Sequence, residues 1–203
     1  MLTRLKESFA RLFDVMAGGL HMIGLGPMAA TLLGLAAAIV SSILYYLTQY
    51  QPQLLPWAAV LLLVSGIFDA ADGAIARLFD EVSQFGGFID SVTDRISEFL
   101  VLSAIILGHL CDLKWGMWAI AGSFLVSYAR SRGETEGVNM KVGIAERPER
   151  LLILIFATLL GLVESGVIIV AVLATLTLSQ RIAHVYHQLG SGSPSSKLGT
   201  ASR

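Results

Sequence analysis

Four aspartates stand where a chain of this hydropathy has least room for charge. Asp69 and Asp72 interrupt an apolar stretch running from about residue 54 to 78, and Asp90 and Asp94 interrupt the next, from about 84 to 110. Each stretch is at least as long as the ~20 residues that cross a bilayer as a helix. A charge at the bilayer centre costs about 2.5–3.5 kcal/mol, so four aspartates facing lipid would cost on the order of 10 kcal/mol. The fold must therefore turn them towards a shared polar cavity, a counter-charge or a cation. The rest of the chain fits a membrane setting. Only 14% of its 203 residues are charged and 55% are apolar, against about 25% charged in an ordinary soluble domain.

Six apolar stretches account for most of the length: about 27–48, 54–78, 84–110, a fourth from Trp115 to the polar segment at 130–150, then 151–163 and 166–188. The expected fold class is an all-α integral membrane protein, six transmembrane helices plus an N-terminal amphipathic interfacial helix. Residues 1–22 form that helix, with Leu5, Phe9, Leu12, Phe13 and Met16 at helical spacing. Charges at positions 4, 6, 7, 11 and 14 break the continuous apolar core that a signal peptide would need. A single membrane domain is expected over 1–188, with the six spans in 27–188. The Gly/Ser-rich end, 189–203, reads as a disordered tail.

Six spans put both termini and the 2–3 and 4–5 connections on one side, which then carries 13 of the 14 Lys and Arg residues, Lys114 alone lying opposite. The positive-inside rule makes that side cytoplasmic, so a multi-pass protein of the cell membrane is expected, with both termini and the active site cytoplasmic. The net charge of −1 gives no footing for nucleic acid. The single cysteine, Cys111, excludes an internal disulfide and a Cys-rich metal site.

Spacing makes the aspartates converge. Asp69 and Asp72 are i, i+3 and Asp90 and Asp94 are i, i+4, so each pair shares a helix face. The short connection around 79–84 predicts that the two helices are antiparallel neighbours. Asp69 then lies about 12 Å and Asp94 about 15 Å from the cytoplasmic helix ends. Four carboxylates with no His or Cys partner form a hard oxygen donor set, suited to Mg²⁺, Mn²⁺ or Ca²⁺. Their charge balances two divalent ions, an arrangement that can clamp a pyrophosphate during in-line displacement.

The run reads D69-A-A-D72-G73-A-I-A76-R77, eight residues, then G86-G-F-I-D90-S-V-T-D94. It resembles, without departure, the D-x2-D-G-x2-A-R-x8-G-x3-D-x3-D pattern of the CDP-alcohol phosphotransferase family. The resemblance implies an enzyme that transfers a phosphatidyl-type group from a CDP-linked lipid to an alcohol, releasing CMP, and works as a homodimer. It implies two divalent cations, Mg²⁺ or Mn²⁺, on Asp69, Asp72, Asp90 and Asp94, with Asp94 also the catalytic base. Thr31, Asp72, Gly73, Ala76, Arg77 and Gly86 would bind the CDP-lipid. Near the first span the family commonly reads Pro-Asn, whereas this chain has Pro27-Met28.

Residues 127–151, above all the E-R-P-E-R run at 146–150, resemble the inositol-phosphate branch of that family. An acceptor carrying its own phosphate calls for several guanidinium donors. Arg130, Arg132, Arg150 and Arg181 are the expected ligands, which points to a phosphorylated alcohol, myo-inositol 1-phosphate first and glycerol 3-phosphate second. A cation-coupled transporter would also place aspartates in the membrane, but such proteins are built on repeats, and none is apparent in this sequence.

Overall fold

A computed structural model describes residues 14–190. Their helices are α1 (residues 14–22), α2 (Pro27–Leu47), α3 (Leu55–Leu78), α4 (Gln84–Leu107), α5 (Leu113–Thr135), α6 (Arg147–Leu159) and α7 (Val163–Val185). No β-strand occurs among the described residues. The start of the expected amphipathic helix and all but the first residues of the expected tail lie outside them.

Local chemistry sets the boundaries. Pro27 opens α2, where a missing N–H costs nothing. Ser83 caps α4 by accepting the Gly86 N–H at 3.0 Å, and Asp112 caps α5 by accepting the Lys114 N–H at 2.9 Å. Asp80, with φ of 55°, reverses the chain between α3 and α4. Cys111 sits half-buried between α4 and α5, and burial, with Glu164 and Asp112 nearby, pushes its thiol up to about 11, so it stays protonated.

Among the described residues, three helical segments are long and apolar enough to cross a membrane: Pro27–Leu47, Pro52–Leu78 and Val163–Leu189. With 13 residues, α6 extends only about 20 Å, short of a ~30 Å hydrocarbon core. The acidic and basic groups in α4, among them Asp90, Asp94, Arg95 and Glu98, set it apart from the three apolar segments.

Small residues bring the helices together. On α2 the buried positions Ala30, Gly34, Ala38, Ser41 and Tyr45 recur every three or four residues. A Cβ on Gly34 would stand 3.3 Å from the Ser65 carbonyl of α3, and the Ser41 hydroxyl donates to the Ala58 carbonyl at 2.7 Å. Gly122 of α5 faces Ala174 of α7 in the same way. Such close backbone approach is the usual basis of helix association in lipid.

The main apolar core occupies one end of the bundle. Tyr45, Ala58, Leu62, Leu102, Ile105, Ala119, Leu154, Ile155, Val167 and Val170 all belong to it, and each comes from the half of its helix remote from the aspartates. At the other end α1 adds Ala17 to a smaller cluster with Ala30, Ala74 and Ile75.

One expectation fails here. Despite their five-residue connection, α3 and α4 scarcely touch, because α2 packs against both. The small-residue face of α2 seats so closely on α3 that it holds α4 away from it. The aspartates consequently face a gap, bordered by Thr31 of α2 and Arg147 of α6.

Candidate active site

Asp69 of α3 and Asp90 and Asp94 of α4 each offer a carboxylate oxygen, all within 4.8 Å of one another. Asp72 stands slightly apart. It is 6% exposed, and its Oδ2 accepts the Thr31 hydroxyl at 2.6 Å. Asp72 and Asp90 both line a cavity of about 550 Å³ that also meets Thr31, Gly73, Ala76, Arg77 and Gly86. All six positions expected to bind the CDP-lipid therefore border one space, with Met28 on its wall. At Gly73 a Cβ would stand 3.1 Å from Arg77 Nη1, so the glycine lets that guanidinium fold back across its own helix.

The sequence reading missed Arg147. Its Nη1 lies 2.7 Å from Asp69 Oδ2 and 2.8 Å from Asp94 Oδ1, a single cationic nitrogen shared by two carboxylates. The available signal was charge balance, since clustered aspartates need a cation, together with the position of Arg147 one helical turn before Arg150. Arg95 is a second, looser neighbour, 3.5 Å from Asp94 Oδ2.

The carboxylate cluster fits a divalent metal on its donor set and its spacing. Oxygens bound to one Mg²⁺ at about 2.1 Å lie up to about 4.2 Å apart, so contraction by about half an ångström would close the group. That the cluster accommodates a guanidinium shows that it takes positive charge.

The structure does not bring the four expected acceptor arginines to one point. Arg130 pairs with Glu134 at 3.0 Å and Glu146 at 3.4 Å, and Arg181 reaches the same Glu146 oxygen at 3.2 Å. Arg132 turns away and pairs with Glu136, because residues two apart on a helix do not share a face. Arg150, 1% exposed, grips Glu98 through Nε at 2.9 Å and Nη2 at 3.1 Å and donates from Nη1 to the Ala145 carbonyl at 3.2 Å. Arg181, 2% exposed, also donates to the Val142 and Val126 carbonyls at 2.9 and 2.6 Å. Together Arg150 and Arg181 fasten the segment before α6. Gly143 in that segment has φ of 138°, and a Cβ there would come within 2.5 Å of Thr177 Cγ2, so glycine is required.

Apolar helices, an oxygen-only cation site and an adjoining ligand-sized cavity define a membrane enzyme assisted by a divalent metal. The CDP-alcohol phosphatidyltransferase family profile matches residues 26–178, and the chain belongs to that family. It is 36% identical to the archaetidylinositol phosphate synthase of Pyrococcus horikoshii over 95% of this chain and all of that one. The Methanothermobacter thermautotrophicus protein of the same name is 33% identical, covering 93% and 96% of the two chains. Among solved structures, Mycobacterium tuberculosis phosphatidylinositol phosphate synthase with CDP-DAG bound superposes with a TM-score of 0.74 at 26% identity, over 87% of this chain and 94% of that one. The same protein with manganese and citrate gives a TM-score of 0.75 at 25% identity, over 86% and 88%.

Proposed function

We propose that this chain transfers a phosphatidyl or archaetidyl group from a CDP-linked lipid to myo-inositol 1-phosphate, with release of CMP. The observation that carries the reading is the adjacency of the carboxylate cluster to the cavity around Thr31, Asp72, Gly73, Ala76, Arg77 and Gly86, with Asp90 common to both. The names of the archaeal relatives support the acceptor.

In this reading Asp69, Asp72, Asp90 and Asp94 hold two divalent ions, Mg²⁺ or Mn²⁺. When bound, these supply charge neutralisation for the pyrophosphate and the departing CMP. Arg77, on the cavity wall, donates to the pyrophosphate oxygens. Asp94 takes the proton of the acceptor hydroxyl, whose oxygen attacks the lipid-bearing phosphorus as the bond from that phosphorus to CMP breaks. Thr31 fixes the Asp72 carboxylate through its hydroxyl. The acceptor's phosphate takes the place of the Glu146 carboxylate between Arg130 and Arg181. Arg150 shapes that pocket by holding the segment before α6, and Arg132 reaches the acceptor's phosphate only by leaving Glu136.

The membrane arrangement follows the same reading. Residues 1–188 are one catalytic domain, α2 to α7 make six spans of the cell membrane, the short α6 completing its span with the polar segment that enters it, and 1–22 lie along the surface as an amphipathic helix. Both termini and the active site face the cytoplasm, 189–203 form a tail, and the enzyme works as a homodimer. CMP release from purified protein, given CDP-lipid and a panel of inositol 1-phosphate, glycerol 3-phosphate, free inositol and serine, tests the acceptor. Inositol 1-phosphate should be preferred. Equal use of free inositol would remove the need for an arginine-bound phosphate and with it this acceptor.

A further inference from the structure

Arg147 has no part in the transfer steps above, yet its guanidinium bridges two of the carboxylates, Asp69 and Asp94. Its hydrogen bond goes to Asp69, and its two ion pairs go to Asp69 and Asp94 through one nitrogen, Nη1. The remaining free space among Thr31, Gly34, Ser65, Asp69, Thr93, Asp94, Ser97 and Arg147 is about 10 Å³, at the lower limit of room for one water. A cation that uses Asp69 Oδ2 or Asp94 Oδ1 competes with Nη1 for that oxygen, and the space between the two aspartates is too small to add it alongside the guanidinium.

Taking these aspartates as the metal site, we infer that Arg147 is the resident counter-ion of the metal-free enzyme and is exchanged for the divalent ion. It neutralises Asp69 and Asp94 until the metal arrives and then withdraws from both. The architecture allows this movement. Arg147 is the first residue of α6, where Glu146 makes no side-chain cap. Arg150, one turn on, ties the helix to Glu98. The Arg147 side chain can therefore leave while α6 stays in position. Exchange also couples two events, because Asp94 Oδ1 is occupied by Arg147 until the metal binds. Metal loading thus frees Asp94 Oδ1 from the guanidinium, and Arg147 acts as a positioning residue for the proposed base.

The test is Mn²⁺ binding to the purified full-length protein without substrates, read as free Mn²⁺ by electron paramagnetic resonance, alongside melting temperature with and without Mn²⁺. Arg147→Gln removes a competitor held by a charged hydrogen bond to Asp69 and an ion pair to Asp94 and should bind Mn²⁺ at least about tenfold more tightly than wild type. Arg147→Lys, which keeps the charge without the fork, should fall between the two. Lys141→Gln, on an exposed loop, should change affinity less than about twofold, since exposed charges are screened. Without metal, Arg147→Gln should melt below wild type, and saturating Mn²⁺ should close the gap. Equal or weaker Mn²⁺ binding by Arg147→Gln, or a melting gap that persists at saturation, would overturn the exchange. If Arg147→Gln does not fold, Arg147→Lys with wild-type affinity would overturn it equally. Asp69→Asn separates this inference from the site itself: it should weaken Mn²⁺ binding whatever residue stands at 147. Unchanged binding in Asp69→Asn would remove the metal site and the exchange together.

Discussion

Glu98→Gln probes whether Arg150 serves the fold or the substrate. Arg150 is 1% exposed and meets Glu98 in a two-pronged pair at 2.9 and 3.1 Å, with Ala145 O as its third acceptor. Removing one member of a buried pair leaves the other charge without compensation and costs about 3–5 kcal/mol. For a chain of this size each kcal/mol corresponds to about 2–4 °C, so the melting temperature should fall by about 6–20 °C. Arg150→Gln should fall by a similar amount. The double variant Glu98→Gln/Arg150→Gln should recover most of the loss, because two amides bury no charge. The assay is thermal unfolding of the three variants and wild type in one detergent, with metal present. A fall below about 2 °C in both single variants, with a raised acceptor KM in Arg150→Gln, would refute the structural role and make Arg150 a direct phosphate ligand.

EDTA should abolish CMP release, and Mn²⁺ or Mg²⁺ should restore it; full activity in EDTA would exclude the metal mechanism. Thr31→Val removes the 2.6 Å hydrogen bond to Asp72 at nearly constant volume, and a bond to a charged group contributes about 1.5–3 kcal/mol. Steady-state kinetics with CDP-lipid varied should show kcat/KM reduced roughly 10- to 150-fold. Gly143→Ala forces a side chain into a positive-φ position 2.5 Å from Thr177 Cγ2. Backbone strain of about 1–3 kcal/mol should lower the melting temperature by about 2–12 °C.

The features readable from the sequence were those set by local spacing. Asp69, Asp72, Asp90 and Asp94 lie within two consecutive helices, where helical periodicity pairs them on common faces, and Gly73, Ala76, Arg77 and Gly86 came with the motif's resemblance; all of these but Asp69 and Asp94 border one cavity in the structure. Thr31 entered through resemblance and lies against Asp72. What the sequence hid depends on tertiary packing. The wedge of α2 between α3 and α4 arises from a stripe of small residues that carries no signal of its partner. Arg147 meets Asp69 across 78 positions of chain, and nothing local to E-R-P-E-R distinguishes the arginine that faces the aspartates from the one that faces Glu98. The expected convergence of Arg130, Arg132, Arg150 and Arg181 rested on charge count. A count ignores that Glu98, Glu136 and Glu146 lie close enough to claim them.

The central claim is that one carboxylate, Asp94, acts as the base while the surrounding groups bind the donor. Asp94→Asn, measured for CDP-lipid binding and CMP release on the same preparation with Mn²⁺ present, tests it most directly. General-base catalysis contributes about 10²- to 10⁴-fold, so turnover should drop by that factor while CDP-lipid binding changes only a few-fold. A loss of binding equal to the loss of rate would reduce Asp94 to a metal ligand, and turnover at the wild-type rate would contradict the account outright.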